Sequence, residues 1–160
     1  MDDRNVVARQ LGRQPRGQWR VATRCSFGYP QVIATAPETP EGEPFPTLYY
    51  LTCPHLVAEV SRLESAGKID RWRWAIAADE TLAAALLEAD ACYRTLRAAE
   101  GGGEDPTSGV GIGGTRDVRA VKCLHAHVAA ALAGIADPVG EGTLAAVERE
   151  CSDRRCGEDE

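Results

Sequence analysis

The segment from residue 47 to residue 67 places the strongest constraint on how this chain folds. Its first part holds Leu48, Tyr49, Tyr50 and Leu51 in a row, a pattern that predicts a strand over residues 47–52 with both faces buried. Pro54 suits the first position of a helix, and apolar residues at core spacing predict that this helix continues to residue 66. The fold must therefore accommodate a buried strand directly before a helix.

Two more strands and several helices are predicted around this unit. Residues 19–25 and 31–36 flank the turn SFGYP and predict an antiparallel hairpin. Periodicity and capping residues predict further helices at residues 3–11, 69–77, 80–99, 117–134 and 143–150. The glycine-rich residues 101–108 are predicted to be a hinge or a disordered break, and ADPVGEG a turn. The expected fold is α+β, with a small antiparallel sheet of about three strands packed against four to six helices.

Composition limits the classes of protein to consider. With 160 residues, 44% of them hydrophobic and 26% charged, the chain is expected to form a single globular domain over residues 1–147, followed by a charged, disordered tail at 148–160. Membrane-spanning and signal-peptide patterns are missing, so a cytoplasmic protein without membrane contact is expected. The net charge of −6 makes nucleic acid an unfavourable partner. Because the cytoplasm is reducing, the six cysteines are expected to be thiols and not disulfides.

A glycine-rich loop at residues 109–114 precedes the predicted helix at 117–134. Glycines give such a loop unusual backbone freedom, and the free amides at a helix start attract anions. Basic side chains stand close by in the sequence. The predicted anion-binding residues are Gly111, Gly113, Gly114, Arg116, Arg119 and Lys122.

The same predicted helix carries Cys123, His125 and His127. An unbroken helix places His125 within the apolar stripe, where a core histidine with one hydrogen bond is expected. Cys123 and His127 are four residues apart, so they would project together from the opposite face and supply half of a metal site.

Cys53 and Cys25 are predicted to lie at strand ends. Cys53 would cap the helix that begins at Pro54, and a thiol in that position is a candidate nucleophile. The favoured interpretation is that this small side chain fills the corner between strand and helix, because a catalytic cysteine needs a positioned base. If both strand ends meet the central helix, Cys25, Cys53, Cys123 and His127 would form a site for zinc or iron. The alternative is that these cysteines only pack in the core.

Four segments resemble one bacterial family. They are VARQLGRQPRG, RCSFGYPQVIATAP, PFPTLYYLTCPHLVAEVSRLESAG and GIGGTRDVRAVKCLHAH. The family is known as domain of unknown function 501 and is common in actinobacteria. The resemblance implies a cytoplasmic bacterial protein but no mechanism. It extends to about Gly140, and the final stretch, ERECSDRRCGEDE, lies beyond it.

Three uses of the chain are open at this point. The first is an anion- or metal-binding site formed by the Cys53 helix start, the glycine-rich loop and the Cys123/His127 helix. The second is a non-enzymatic module that contacts a protein partner through an N-terminal arginine arm, residues 1–24, together with Trp74. The third is a thiol enzyme that uses Cys53. A small anion or a protein is the expected partner.

Overall fold

The computed structural model describes residues 2–157, and its centre is a three-stranded antiparallel sheet. The strands are β1 (Trp19–Arg24), β2 (Pro30–Thr35) and β3 (Tyr49–Leu51), in the order β1-β2-β3. The central strand β2 is buried along its whole length. Because the strands are antiparallel, the end of β1, the start of β2 and the end of β3 meet at one edge of the sheet.

Helices surround the sheet and confirm the predicted α+β class. They are α1 (Asp3–Leu11), α2 (Pro54–Ser65), α3 (Lys68–Ala78), α4 (Glu80–Glu100), α5 (Leu124–Leu132) and α6 (Pro138–Ala145). The apolar helix α5 packs against β3, α2 and α6 and occupies the middle of the core. Within residues 2–157, every helix is too short or too polar to cross a membrane.

Two helix boundaries differ from the predictions. The central helix begins at Leu124, because Cys123 is in an extended conformation and residues 117–120 form a turn and bends. Val118 and Val121 are buried at helical spacing, so their pattern imitates a helix that does not form there. The last helix is α6 rather than 143–150: the Asp137 carboxylate accepts hydrogen bonds from the Val139 and Gly140 amides, and a proline follows it at the first helical position.

Two segments predicted to be loose are held in place. The guanidinium of Arg97, fully buried, donates to Asp105 and to the carbonyls of Pro46, Thr107 and Val110. These contacts hold residues 105–110, which include the second half of the predicted hinge, against α4.

The described part of the tail that was predicted to be disordered contacts the rest of the chain. In residues 148–157, Cys156 is buried, the Glu148 carbonyl accepts a hydrogen bond from His55 and the Glu150 carboxylate accepts one from Ser26. Residues 158–160 of the predicted tail lie outside the described residues.

Candidate metal centre beside an open cavity

Three potential metal ligands converge where α2 meets the start of α5. Glu64 lies in the last turn of α2, Cys123 caps α5 and His125 is the second residue of α5. Their ligand atoms all lie within 4.8 Å of one another. His125 Nδ1 is 2.8 Å from Glu64 Oε1 and 3.8 Å from Cys123 Sγ. The set combines the three ligand types that zinc accepts in proteins.

The second ring nitrogen of His125 fixes the orientation of the imidazole. Nε2 lies 3.2 Å from the Val57 carbonyl oxygen and 3.1 Å from Ser61 Oγ. A carbonyl can only accept, so this contact assigns the proton to Nε2 in the neutral ring. The lone pair of Nδ1 then points toward Glu64 and Cys123. Metal-binding histidines commonly show this arrangement, in which the nitrogen away from the metal donates to a backbone carbonyl.

The surroundings of His125 favour its charged form in the metal-free protein. The hydrogen bond with Cys123 raises the pKa of His125, burial opposes that increase, and the negative charges of Cys123 and Glu64 raise it further. A bound cation would replace the proton on Nδ1. The arrangement therefore suits either a proton or a metal ion at the same point.

A cavity of about 460 Å³ opens beside Cys123 and His125. Tyr49 and Tyr50 line one part of it, and Gly113 and Gly114 line another. Both glycines have left-handed backbone angles, φ 73° and 72°, which residues with a side chain rarely adopt. The predicted meeting of the glycine-rich loop with Cys123 is therefore present, with a space for a small molecule next to the thiol.

The amides of the glycine-rich loop are partly occupied by the chain itself. The Asp90 carboxylate accepts a hydrogen bond from the Ile112 amide over 2.9 Å, and a Cβ at Gly111 would lie only 1.9 Å from the same oxygen. An internal carboxylate thus stands where an anion was expected. No helix begins directly after the loop, and the side chains predicted to assist, Arg116, Arg119 and Lys122, are exposed.

The two histidines of α5 have exchanged the roles predicted for them. His127 is fully buried and its Nδ1 lies 2.6 Å from Asp137 Oδ2, whereas His125 borders the cavity beside Cys123. The reason is the late start of α5. An extended residue at position 123 is not one helical turn from position 127, so the spacing of four residues does not bring the two side chains together.

The four residues predicted as metal ligands do not form one group. Among residues 2–157, the group whose ligand atoms lie within 4.8 Å of one another is Glu64, Cys123 and His125. Cys25 and Cys53 do lie at the same edge of the sheet, because β1 and β3 both end there. Cys123 is at a different place, beside the cavity.

Cys53 caps α2 as predicted but lacks the features of an activated thiol. It is 6% exposed, and burial raises its pKa, an effect only partly offset by the nearby Leu56 and His55 amides, while its side chain accepts no capping hydrogen bond. The nearby Cys156 and Cys151 thiols raise this pKa further. A less acidic thiol carries less thiolate and is a poorer nucleophile.

Glu64 is the ligand that the sequence did not indicate. It is one of two acidic residues on α2 and lies about sixty positions before Cys123, so only the packing of α2 against α5 brings them together. The nearest sequence signal was its place in the last helical turn, where a carboxylate is unfavourable beside the helix dipole unless a cation is near.

The arginine arm is divided between the core and the surface. Val6 and Val7 of α1 are buried, and Arg24 forms an ion pair with Asp3 over 2.7 Å. Arg13 and Arg16 line a second cavity, of about 460 Å³, against β2. Trp74 is 69% exposed on α3. A partner surface formed by these groups stays a prediction.

A comparison with known protein families identifies the family of this chain. A family model described as "Protein of unknown function (DUF501)" matches residues 21–145. The chain belongs to this family. The matched segment of this DUF501 protein contains Glu64, Cys123 and His125 but not Cys151 or Cys156. The search of curated proteins and the search of solved structures each gave no match.

Proposed function

We propose that this DUF501 protein binds a divalent transition-metal ion, zinc before others, through Glu64, Cys123 and His125. The single observation that carries the proposal is the convergence of three different ligand atoms within 4.8 Å of one another. Sulfur, imidazole nitrogen and carboxylate oxygen together favour zinc over magnesium or calcium, which prefer oxygen ligands alone.

The three ligands leave a fourth tetrahedral position for water or another molecule. Structural zinc sites usually have four protein ligands, whereas catalytic sites have three and an open position. The cavity bordered by Cys123 and His125 provides access to that position. A zinc ion there would polarise a carbonyl or lower the pKa of a bound water. The ligand class is therefore a small molecule that offers an oxygen or nitrogen donor to the metal.

The alternative use of the same side chains is a thiol nucleophile at Cys123 with His125 as its base. The distance of 3.8 Å between Sγ and Nδ1 favours it. In a relay, however, the base contacts the thiol with one nitrogen and its carboxylate partner with the other. Here Nδ1 faces both Cys123 and Glu64, while Nε2 faces a carbonyl. That geometry supports a metal better than a relay.

Calorimetric zinc titration of the reduced, untagged chain tests the proposal. Glu64→Gln and Cys123→Ser should each weaken one binding event by more than about 100-fold, beyond the roughly 10- to 100-fold lost when only an outer partner is removed. The matched controls are Glu59→Gln and Cys92→Ser. Glu59 is on the same helix and similarly exposed, with 20% of its side chain accessible against 22% for Glu64.

Unchanged zinc affinity in both site variants would overturn the metal proposal. If Cys123 in the metal-free protein is also alkylated much faster than the exposed Cys92, the thiol alternative takes its place.

A further inference from the structure

Four of the six cysteines gather at one edge of the sheet, away from the cavity. Cys25 follows β1 directly, and Cys53 stands two residues after β3. The C-terminal segment, residues 148–157, returns to this edge and brings Cys151 and Cys156. Because β1, β2 and β3 are antiparallel neighbours, Cys25 and Cys53 flank the beginning of β2.

Hydrogen bonds place Cys156 at the beginning of β2. The side-chain amide of Gln10 donates to the Pro30 carbonyl over 2.8 Å and lies 3.2 Å from Cys156 Sγ. The Gln31 carbonyl accepts from the Cys53 amide at 3.3 Å, so Cys53 is adjacent on the β3 side. On the β1 side, the Cys25 amide donates to the Tyr29 carbonyl over 2.9 Å in the turn that leads into Pro30.

Hydrogen bonds also bring the chain around Cys151 to Cys25 and Cys53. Ser26 Oγ donates to the Glu150 carboxylate over 3.1 Å, and His55 Nε2 lies 2.7 Å from the Glu148 carbonyl oxygen. Ser26 directly follows Cys25, Glu150 directly precedes Cys151, and His55 is two residues after Cys53. The pKa values of Cys156 and Cys53 are both raised, mainly by burial, and neighbouring thiols contribute to each increase.

Polar contacts hold the C-terminal segment against the sheet. Its residues, ERECSDRRCG, are charged or small apart from the two cysteines, so hydrophobic burial contributes little to its position. Besides the hydrogen bonds of Glu148 and Glu150, the Arg154 guanidinium lies 4.8 Å from the centre of the Phe27 ring. Arg154 has a left-handed φ of 48°, which is unfavourable for a residue other than glycine, and its carbonyl accepts from the Gly157 amide over 2.7 Å.

We propose that Cys25, Cys53, Cys151 and Cys156 bind one zinc ion as a closed four-thiolate site that fastens the C-terminal segment to the sheet. Four sulfur ligands satisfy the tetrahedral preference of zinc and leave no open position, so the role of the ion is structural. Each coordinating thiol releases its proton to solvent.

The surroundings suit such a centre. A zinc ion with four thiolates carries a net negative charge, and the positively charged Arg154 and Arg155 directly precede Cys156 in the chain. The Arg9 guanidinium donates to the Cys156 carbonyl over 3.4 Å. The Gln10 amide is placed to donate to the sulfur of Cys156, a contact that commonly supports metal-bound thiolates.

Closure of the site requires the thiols to move together. Zinc–sulfur bonds of about 2.3 Å imply sulfur–sulfur distances of about 3.8 Å. Within residues 2–157, no three of the four sulfurs lie within 4.8 Å of one another. Cys25 and Cys151 lie outside helices and strands, and the proposal requires the backbone there to shift until the four sulfurs complete the tetrahedron.

Zinc X-ray absorption and metal analysis of the reduced, untagged full chain test this proposal. Cys123→Ser removes the ion of the proposed cavity site, and the zinc that remains should show about four sulfur neighbours at about 2.3 Å. Cys151→Ser and Cys156→Ser should each lose this zinc, whereas Cys92→Ser, on the exposed face of α4, should keep it. The two metal proposals can therefore fail separately.

A second measurement uses only the wild-type chain, so it still tests the proposal if the cysteine variants do not fold. In the wild-type chain, chelator treatment should speed proteolysis of residues 148–157 by more than about tenfold, and added zinc should restore protection, because folding of the segment is linked to binding. The proposal is overturned if Cys123→Ser contains no zinc, or if its zinc has at most one sulfur neighbour. A reduced wild-type chain whose tail is equally protected with and without zinc would overturn it as well.

Discussion

The imidazole of His127 and the carboxylate of Asp137 form a buried hydrogen-bonded pair in the core. Nδ1 lies 2.6 Å from Oδ2, and at most 1% of either side chain is exposed. The other carboxylate oxygen, Oδ1, accepts hydrogen bonds from the Val139 and Gly140 amides. One aspartate therefore both caps α6 and joins it to α5, the helix that carries the candidate metal site.

Asp137→Ala should destabilise the protein by about 3–5 kcal/mol, because it removes a buried partner together with a helix cap. Asp79→Ala is the matched control, since Asp79 also accepts from two amides at the start of α4 but is exposed. The control should lose about 1 kcal/mol. Urea unfolding measures both values, and equal losses would show that the His127 pair contributes nothing beyond the cap.

The guanidinium of Arg97 is expected to hold the loop at 101–110 by geometry as well as by charge. Arg97→Lys keeps the charge but cannot reach Asp105, Pro46, Thr107 and Val110 together, so a loss of about 3 kcal/mol or more is expected.

Arg20→Lys is the control for Arg97, because Arg20 forms an exposed ion pair with Glu100 and should lose less than about 1 kcal/mol. Protease cleavage within residues 101–110 should also increase in Arg97→Lys. A loop that remains as resistant as in the wild type would contradict the anchoring role.

His125 should titrate above its ordinary pKa in the metal-free protein, since Cys123 and Glu64 both favour its charged form. A raised pKa in the folded state means that the charged ring stabilises the fold below the ordinary histidine pKa. This contribution is lost as the pH rises through the raised pKa. NMR titration should show the pKa of His125 falling in Cys123→Ala; an unchanged pKa would exclude the thiol as the main cause.

Zinc affinity should rise with pH, whereas the stabilisation from charged His125 is lost as the pH rises. The metal needs neutral His125 and deprotonated Cys123, so affinity should fall as the pH decreases through the His125 pKa, and binding should release protons. Calorimetry in buffers with different ionisation enthalpies measures that release. Binding without proton release at neutral pH would contradict coordination by these two side chains.

Cys53 should be a slow nucleophile. Burial limits access and raises its pKa, so alkylation of the reduced, metal-free chain at neutral pH should modify the exposed Cys92 more than about tenfold faster. Mass spectrometry of peptides follows both sites. Faster alkylation at Cys53 than at Cys92 would contradict this prediction and support the hypothesis of a thiol enzyme that uses Cys53.

Local signals in the sequence predicted most of the fold. Pro54 and Asp79 mark where α2 and α4 begin, and the structure begins both helices there. Asp137 followed by Pro138 is the same type of helix-start signal, but the sequence pattern predicts a turn there, where α6 begins. Periodicity failed before Leu124, because a buried irregular segment can place valines inward at the same spacing as a helix.

The candidate site was less accessible to sequence reasoning because it depends on tertiary packing. Cys123 and the glycine-rich loop were identified from their composition, but the partner of Cys123 depends on where α5 begins. Because α5 begins only at Leu124, the histidine beside Cys123 is His125 and not His127. Glu64 and the C-terminal cysteines approach their neighbours only through the packing of α2 and the return of the tail, which no local pattern encodes.

The most direct test of the metal centre is anomalous X-ray diffraction at the zinc edge from crystals of the reduced protein grown with zinc. We predict a peak about 2.0–2.3 Å from Cys123 Sγ, His125 Nδ1 and a carboxylate oxygen of Glu64, with a fourth ligand on the cavity side. A map in which these three side chains are ordered and reduced, with no peak between them, would contradict the proposed function.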